Sequence, residues 1–433
     1  MPYLKVVQNP QGRFFMKKKD GSVRRYLKLL GPGLITGASD DDPSGIATYS
    51  QAGAGFGLLL LWMAPFTFPL MASIQGMCAR IGLVTSQGLT RTLKQYYPPT
   101  ILYLMLILSV PAIILNIGAD IAGMGAVTNL LFPKIPSFVF SVLFTLIMLI
   151  CIIVYSYQKI AGILKWLCIS MLLYLVVPFL VTVNWKKVFL FTFLPHIEFN
   201  KDYIEMVVAI LGTTISPYLF FWQTTMEAED REHQEKAIVV NKKMMSNMAK
   251  DVNSGMLISN VVMLFIILTT GVVLYNAGVK QILTVDQAAK ALAPLAGQFS
   301  YFCFALGVLG TGFLTIPVLA GSLSYILAES FGWKEGLDKK FQEAKAFYIV
   351  IIVSLITGLS INLLGISPMK ALIYTAILYG VTSPVMIAVI MHIGNNKKIM
   401  KSFTNRPLSN VLGLITFILM TSAAIVMLYL QFK

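Results

Sequence analysis

Charge is scarce in this chain. Only 12% of its 433 residues are Asp, Glu, Lys or Arg, against roughly a quarter in an ordinary soluble domain. With 57% hydrophobic residues and a mean hydropathy of +0.75, there are too few charges to cover a water-exposed surface. A soluble globule is excluded on that ground, and so is a disordered chain. Histidine and cysteine are scarcer still. His196, His233 and His392 are scattered, and Cys78, Cys151, Cys168 and Cys303 sit inside apolar runs without metal-ligand spacing. That pattern speaks against a His/Cys metal centre and against a disulfide framework. Acids number 19 against 34 bases, a net charge of +15. The bases are spread over connecting segments, so a nucleic-acid partner is not expected. The polar, basic segment 1–27 has no short apolar run leading to a small-residue cleavage site, and is read as a cytoplasmic tail rather than a signal peptide.

What the chain does have is apolar runs. A spanning helix needs about 20 mostly apolar residues. Eleven segments qualify: 28–53, 56–80, 99–128, 137–156, 160–183, 203–226, 254–277, 298–329, 345–364, 369–393 and 409–431. The expected fold class is therefore an all-α polytopic membrane protein with about 11 transmembrane helices, forming one integral domain over 28–433. Of the 34 Lys and Arg, all but Lys134, Lys186, Lys187, Lys201, Lys280, Lys290, Lys370 and Lys433 fall in 1–28, 78–98, 157–165, 227–250, 331–345 and 394–408. That asymmetry places the N-terminus and those segments in the cytoplasm. Residues 227–250, mixed in charge sign, are expected to form a cytoplasmic surface helix. Residues 283–296 are expected to form a helix on the other side, capped by Thr284 or Asp286.

Ionisable groups inside spans are costly and default to function. The densest group is Asp40-Asp41-Asp42, followed by Pro43-Ser44-Gly45, in the first span. Pro43 lacks an N–H and disfavours helix at Asp42, while Gly45 tolerates unusual backbone angles. The first span is thus expected to be two half-helices joined by an unwound segment, viable only where it is buried in protein or lines a cavity. The sixth span repeats the device at Gly212-Thr213-Thr214-Ile215-Ser216-Pro217-Tyr218. The two breaks lie five spans apart and in opposite directions. Repeat one is taken as 28–183, repeat two as 203–393, with an extra helix at 409–431. Paired interruptions in inverted halves point to a transporter's substrate site near the bilayer midplane. A carboxylate, small hydroxyls and free helix-end carbonyls suit a hard cation, and a divalent one best.

The run 31–57, GPGLITGASDDDPSGIATYSQAGAGFG, resembles the first-helix signature of the Nramp family of divalent metal transporters, and 212–223, GTTISPYLFFWQ, is similar to its sixth-helix signature. The resemblance covers nearly the whole chain and implies a LeuT-like inverted 5+5 repeat with discontinuous helices 1 and 6. It places Asp42 at the family's metal-binding aspartate, Gly45 at its asparagine, Ser216 at its methionine and Tyr218 at its histidine. Ser39 and Thr213 stand where members contribute backbone carbonyls. Asp120 stands at a third-helix aspartate tied to proton movement, with Gly123 where a second acid would follow. Metal or substrate binding is thus expected at Asp42, Ser39, Gly45, Thr213 and Ser216, with Asp40, Asp41, Asp120, Tyr218 and Gln223 as pathway residues. The departures resemble the Nramp-related, magnesium-transporting branch.

Loss of a thioether removes a bias toward soft ions, and a wider cavity suits magnesium, which dehydrates reluctantly. Loss of the histidine and of one acid removes proton carriers. The expected function is import of Mg2+ or Mn2+ across a bacterial cytoplasmic membrane by alternating access, with weak or no proton coupling. No catalytic role is expected, and no cofactor other than the transported ion. A monomer would suffice in the lipid bilayer. The alternatives are a proton-coupled Mn2+/Fe2+ importer, a sodium-coupled organic-solute carrier, and an intramembrane aspartyl hydrolase pairing Asp42 with Asp120. Gln75 and Gln223 are expected in interhelical hydrogen bonds. Glu227, Glu229 and Asp230 are expected as solvated loop charges rather than an anionic exit.

Overall fold

The structure, a computed structural model, describes residues 31–155, 173–233 and 240–431. Among these residues the regular elements are all helices. The longer ones are α1 (Pro32–Asp40), α2 (Pro43–Phe56), α3 (Met63–Thr85), α4 (Leu89–Tyr96), α5 (Pro99–Leu131), α6 (Ser137–Val154) and α7 (Trp185–Phe193). After these come α8 (Lys201–Thr214), α9 (Pro217–His233), α10 (Lys242–Thr270), α11 (Ser300–Phe331), α12 (Lys345–Ile361), α13 (Pro368–Asn395) and α14 (Pro407–Gln431). Nine stretches among the described residues are long and apolar enough to cross a membrane, with α8 and α9 counted as one. The expected first span is absent from that set because it is divided into α1 and α2, each too short alone. Residues 160–172 of the expected fifth span, and the tail 1–27, lie outside the described residues.

Two expectations about connecting segments fail. Residues 227–250 hold no separate surface helix in their described part. Instead α9 continues to His233 and α10 begins at Lys242, where the Asn241 side chain accepts the Met244 N–H at 3.0 Å. Glu, Lys, Met and Ala are good helix formers, so the polar run lengthens two spanning helices. Residues 283–296 form three short pieces, Val285–Ala289, Lys290–Leu292 and Ala293–Ala296. Pro294 forces the last restart. Thr284 holds the N-cap position without a side-chain bond, and Gln287 Oε1 accepts the Leu283 N–H at 2.7 Å instead.

The half-helices are held by backbone contact. A Cβ on Gly33 of α1 would stand 2.6 Å from the Val252 nitrogen, and one on Gly255 of α10 would stand 2.1 Å from the Gly33 oxygen. Only glycine permits that approach, the usual device where helices gain nothing from hydrophobic burial against each other. The start of α1 is then capped in trans. The Asp251 carboxylate of α10 accepts the N–H groups of Gly31 at 2.8 Å, Gly33 at 2.7 Å and Leu34 at 3.3 Å. An anion at a helix N-terminus meets both the orphan donors and the helix dipole. At the second break, a Cβ on Gly212 of α8 would come 2.0 Å from the Ala376 oxygen of α13.

Candidate functional site

The first break falls at Asp41 and Asp42, as the acid-Pro-Ser-Gly run predicts. Asp42 is the N-cap of α2, with extended backbone and its side chain 1% exposed. Its Oδ1 accepts the Gly45 N–H at 2.6 Å and the Ser44 hydroxyl at 2.9 Å. Its Oδ2 accepts Asn116 Nδ2 of α5 at 2.9 Å. The carboxylate therefore has one oxygen tied to its own helix and the other facing α5. Gly45 lies at the same wall, where a Cβ would meet Thr213 Oγ1 at 3.3 Å and Asp42 Oδ1 at 3.4 Å. Thr213 of the second break is thus brought against the first.

The second break falls at Ile215 and Ser216. The Ser216 hydroxyl turns back on its own chain, donating to the Thr213 carbonyl at 2.6 Å and the Gly212 carbonyl at 3.1 Å. Ser383 of α13 donates to the Ile215 carbonyl at 2.9 Å. These hydroxyls satisfy carbonyls that a broken helix leaves orphaned. Tyr218 joins the breaks, because its hydroxyl donates to the Ser39 carbonyl at 2.8 Å. Thr315 of α11 donates to the same carbonyl at 3.2 Å. Two expected carbonyl ligands, Ser39 and Thr213, are thus engaged by protein hydroxyls in this conformation.

A buried polar region continues along α5. Asp120, one turn beyond Asn116 on the same face, is 0% exposed, and neither of its oxygens meets a donor in hydrogen-bonding geometry. The same holds for Asn116 Oδ1 and for the Tyr379 hydroxyl of α13, which stands beside Asn116. Gly123, two turns beyond Asn116 on that face, lies in apolar surroundings. A Cβ there would meet Leu372 at 3.2 Å and Pro43 at 3.7 Å, and it shares an apolar pocket with Val127, Phe304 and Val308.

Asp40 and Asp41 turn from Asp42 toward α10. Ser259 Oγ lies 2.7 Å from Asp40 Oδ2 and 3.1 Å from Asp41 Oδ1. Gln223 does not reach the breaks, and its amide donates to Glu227 Oε1 at 3.0 Å. Glu227 is 6% exposed, which corrects its assignment as a solvated loop charge. The reason is the extension of α9, which keeps Glu227 inside the helix bundle. Glu229 accepts the Tyr325 hydroxyl at 2.7 Å, while Asp230 is exposed. Beyond them lies a cavity of about 520 Å³ whose walls include Arg91, Thr225, Glu229, Glu329 and Glu335. Glu329 is buried there and accepts the Arg91 N–H at 2.8 Å, capping α4. Arg91 and Glu335 form an ion pair. Gln75 is buried, and neither end of its amide has a partner, so the interhelical bond expected for it is absent.

Sequence reasoning missed Asn116, Ser259, Asp251 and Thr315. Asn116 carried a usable signal, being an amide in a long apolar run four residues before Asp120. The others are ordinary residues whose partners lie more than 200 positions away in sequence, as with Asp251 and Gly31, 220 apart.

Comparisons with known proteins follow the same line. The family described as natural resistance-associated macrophage protein-like matches residues 33–430. The divalent metal cation transporter MntH of Caldanaerobacter subterraneus is 25% identical over 417 residues, covering 95% of each chain. MntH of Mycobacterium leprae is 24% identical over 426 residues, covering 97% of this chain and 96% of its own. A crystal structure of the Eremococcus coleocola manganese transporter superposes with a TM-score of 0.72 at 18% identity, over 97% of this chain and 88% of that one. Mhp1, a nucleobase-cation-symport-1 family transporter, superposes at 0.56 with 12% identity, over 91% and 92%. At these identities the structural likeness establishes the shared helical transporter fold.

Proposed function

The chain belongs to the natural resistance-associated macrophage protein-like family, and on that footing we propose that it moves divalent metal cations across a membrane, holding the ion at Asp42. The observation that carries this is the buried carboxylate at the first break. It is oriented by α2, faces α5, stands beside Gly45 where Thr213 of the second break packs, and is surrounded by oxygen and nitrogen groups. Ser39 and Thr213 would supply carbonyl oxygens once the hydroxyls now on them move, and Ser216 its hydroxyl once it leaves the Thr213 and Gly212 carbonyls. Alternating access would tilt α1 and α9 about this point, changing which side reaches the ion.

Within that activity we infer a preference for hard ions, Mg2+ or Mn2+, over Cd2+. No thioether stands at Ser216, and oxygen sites favour hard cations. Weak or absent proton coupling is inferred from Gly123, which lies in apolar surroundings where a second third-helix acid would otherwise stand. The competing reading, a proton-coupled manganese importer, is favoured by one feature: Asp120 is buried with two oxygens that accept no bond. Influx of Mg2+, Mn2+ and Ca2+ into proteoliposomes tests both points. Wild type should carry Mg2+ or Mn2+ without a pH gradient, and Asp42→Ala should carry neither. Full flux in Asp42→Ala would reject the site.

A further inference from the structure

We propose that Asn116 is a direct ligand of the transported cation, supplying the amide oxygen that position 45 cannot, and so helps set the preference for oxygen-seeking divalent ions. The inference rests on the reading of Asp42 as the cation's carboxylate. The two oxygens of Asp42 are unequal. Oδ1 is committed to the start of α2 by the Gly45 N–H and the Ser44 hydroxyl. Oδ2 is the oxygen that faces away from α2, and Asn116 is the side chain that stands on it, at 2.9 Å. Any ion held by Oδ2 therefore meets Asn116.

The amide is also half used. Asn116 is 0% exposed, its Nδ2 donates to Asp42, and its Oδ1 meets no donor in hydrogen-bonding geometry, with the Tyr379 hydroxyl the polar group beside the amide. A buried acceptor without a partner is costly, and native structures seldom leave one without a reason. Across the pocket, Gly45 contributes no side chain, and a Cβ there would already crowd Thr213 Oγ1 and Asp42 Oδ1. The wall nearest the carboxylate has no amide of its own, while the wall from α5 has one whose oxygen is idle.

A divalent ion at Oδ2 repels an N–H donor and attracts an amide oxygen. Half a turn about the last side-chain bond of Asn116 exchanges Nδ2 for Oδ1 and presents that oxygen to the ion. The displaced NH2 group then has acceptors nearby. Tyr379 stands beside the amide, and Asp120, one turn along the same helix face, has two oxygens that meet no donor in hydrogen-bonding geometry. In this account the atoms that stand without a partner are those that the ion-bound arrangement would use.

The test separates a ligand from a residue that only orients Asp42. Orientation, as seen here, needs a donor, whereas ligation needs an oxygen. Asn116→Leu removes both, and Asn116→Met removes both while offering a thioether that can bind an ion and donates nothing. Proteoliposome uptake and calorimetric titration with Mg2+ and Mn2+ should show Asn116→Leu weaker by about tenfold or more, and Asn116→Leu behaving as wild type would overturn the proposal. A thioether in contact with the ion should raise Cd2+ uptake relative to Mg2+ in Asn116→Met above that in Asn116→Leu, and an equal ratio in the two variants would overturn the proposal. Asp42→Ala, run in parallel, keeps the two readings apart. Transport by Asp42→Ala removes the site itself, whereas its loss beside intact Asn116→Leu removes only the present inference.

Discussion

Asp42 serves two ends with one carboxylate, capping α2 through Oδ1 and facing α5 through Oδ2. Those ends can be separated by substitution. Asn caps a helix as well as Asp does, so Asp42→Asn should melt near wild type in detergent while losing metal uptake. Asp42→Ala should lose the cap as well, at about 1 kcal/mol, visible as a lower melting temperature. Ser216 offers a second contrast. Its hydroxyl is folded onto the Thr213 carbonyl, and Ser216→Met both frees that carbonyl and adds a soft ligand. Cd2+ and Mn2+ uptake should rise relative to Mg2+, and an unaltered ratio would mean that residue 216 does not face the ion. The place of Asp42 at the helix break was legible in the sequence because proline and glycine follow it. Asn116 was not, because a lone amide in an apolar run reads equally as a helix–helix hydrogen bond.

At the scale of elements, the breaks in the first and sixth spans were legible for a local reason. Proline removes a donor and restricts its predecessor, whatever the tertiary setting. The ends of α9 and α10 were not, since a run of mixed charges on good helix formers suits either a solvated loop or a longer helix. The choice depends on burial, as at Glu227. The trans cap on α1 was beyond reach for another reason, because Asp251 and Gly31 meet only through the fold. That cap has a measurable consequence. Asp251→Ala should leave three N–H groups of α1 without their acceptor and destabilise its first turn by roughly 1–2 kcal/mol. Hydrogen exchange should then speed at Gly33 and Leu34, with α13 amides unaffected. Equal exchange in both proteins would show that the carboxylate contributes nothing to holding α1.

For the molecule as a whole, the driving force follows from the charge carried. A divalent ion crossing fully gains ~4.6 kcal/mol from an inside-negative potential of 100 mV. Mg2+ uptake should therefore steepen with an imposed potassium diffusion potential. It should persist when the pH gradient is clamped at zero; collapse under that clamp at constant potential would mean that Asp120 couples protons after all. The all-helical membrane class was readable from composition and apolar runs, because the bilayer admits few architectures, whereas the LeuT-like fold was implied by the resemblance of 31–57 and 212–223. The packing of half-helices on backbone was not readable, since glycines in apolar runs do not announce their partners. One contact across that packing, the Tyr218 hydroxyl on the Ser39 carbonyl, links the two interrupted rods directly. An ion that took that carbonyl would displace the phenol, and with it the Thr315 hydroxyl, so arrival of cargo and release of the clasp would become a single event. Tyr218→Phe should accordingly leave the rods free to swing unladen, raising futile opening far more than it alters how tightly the ion is held.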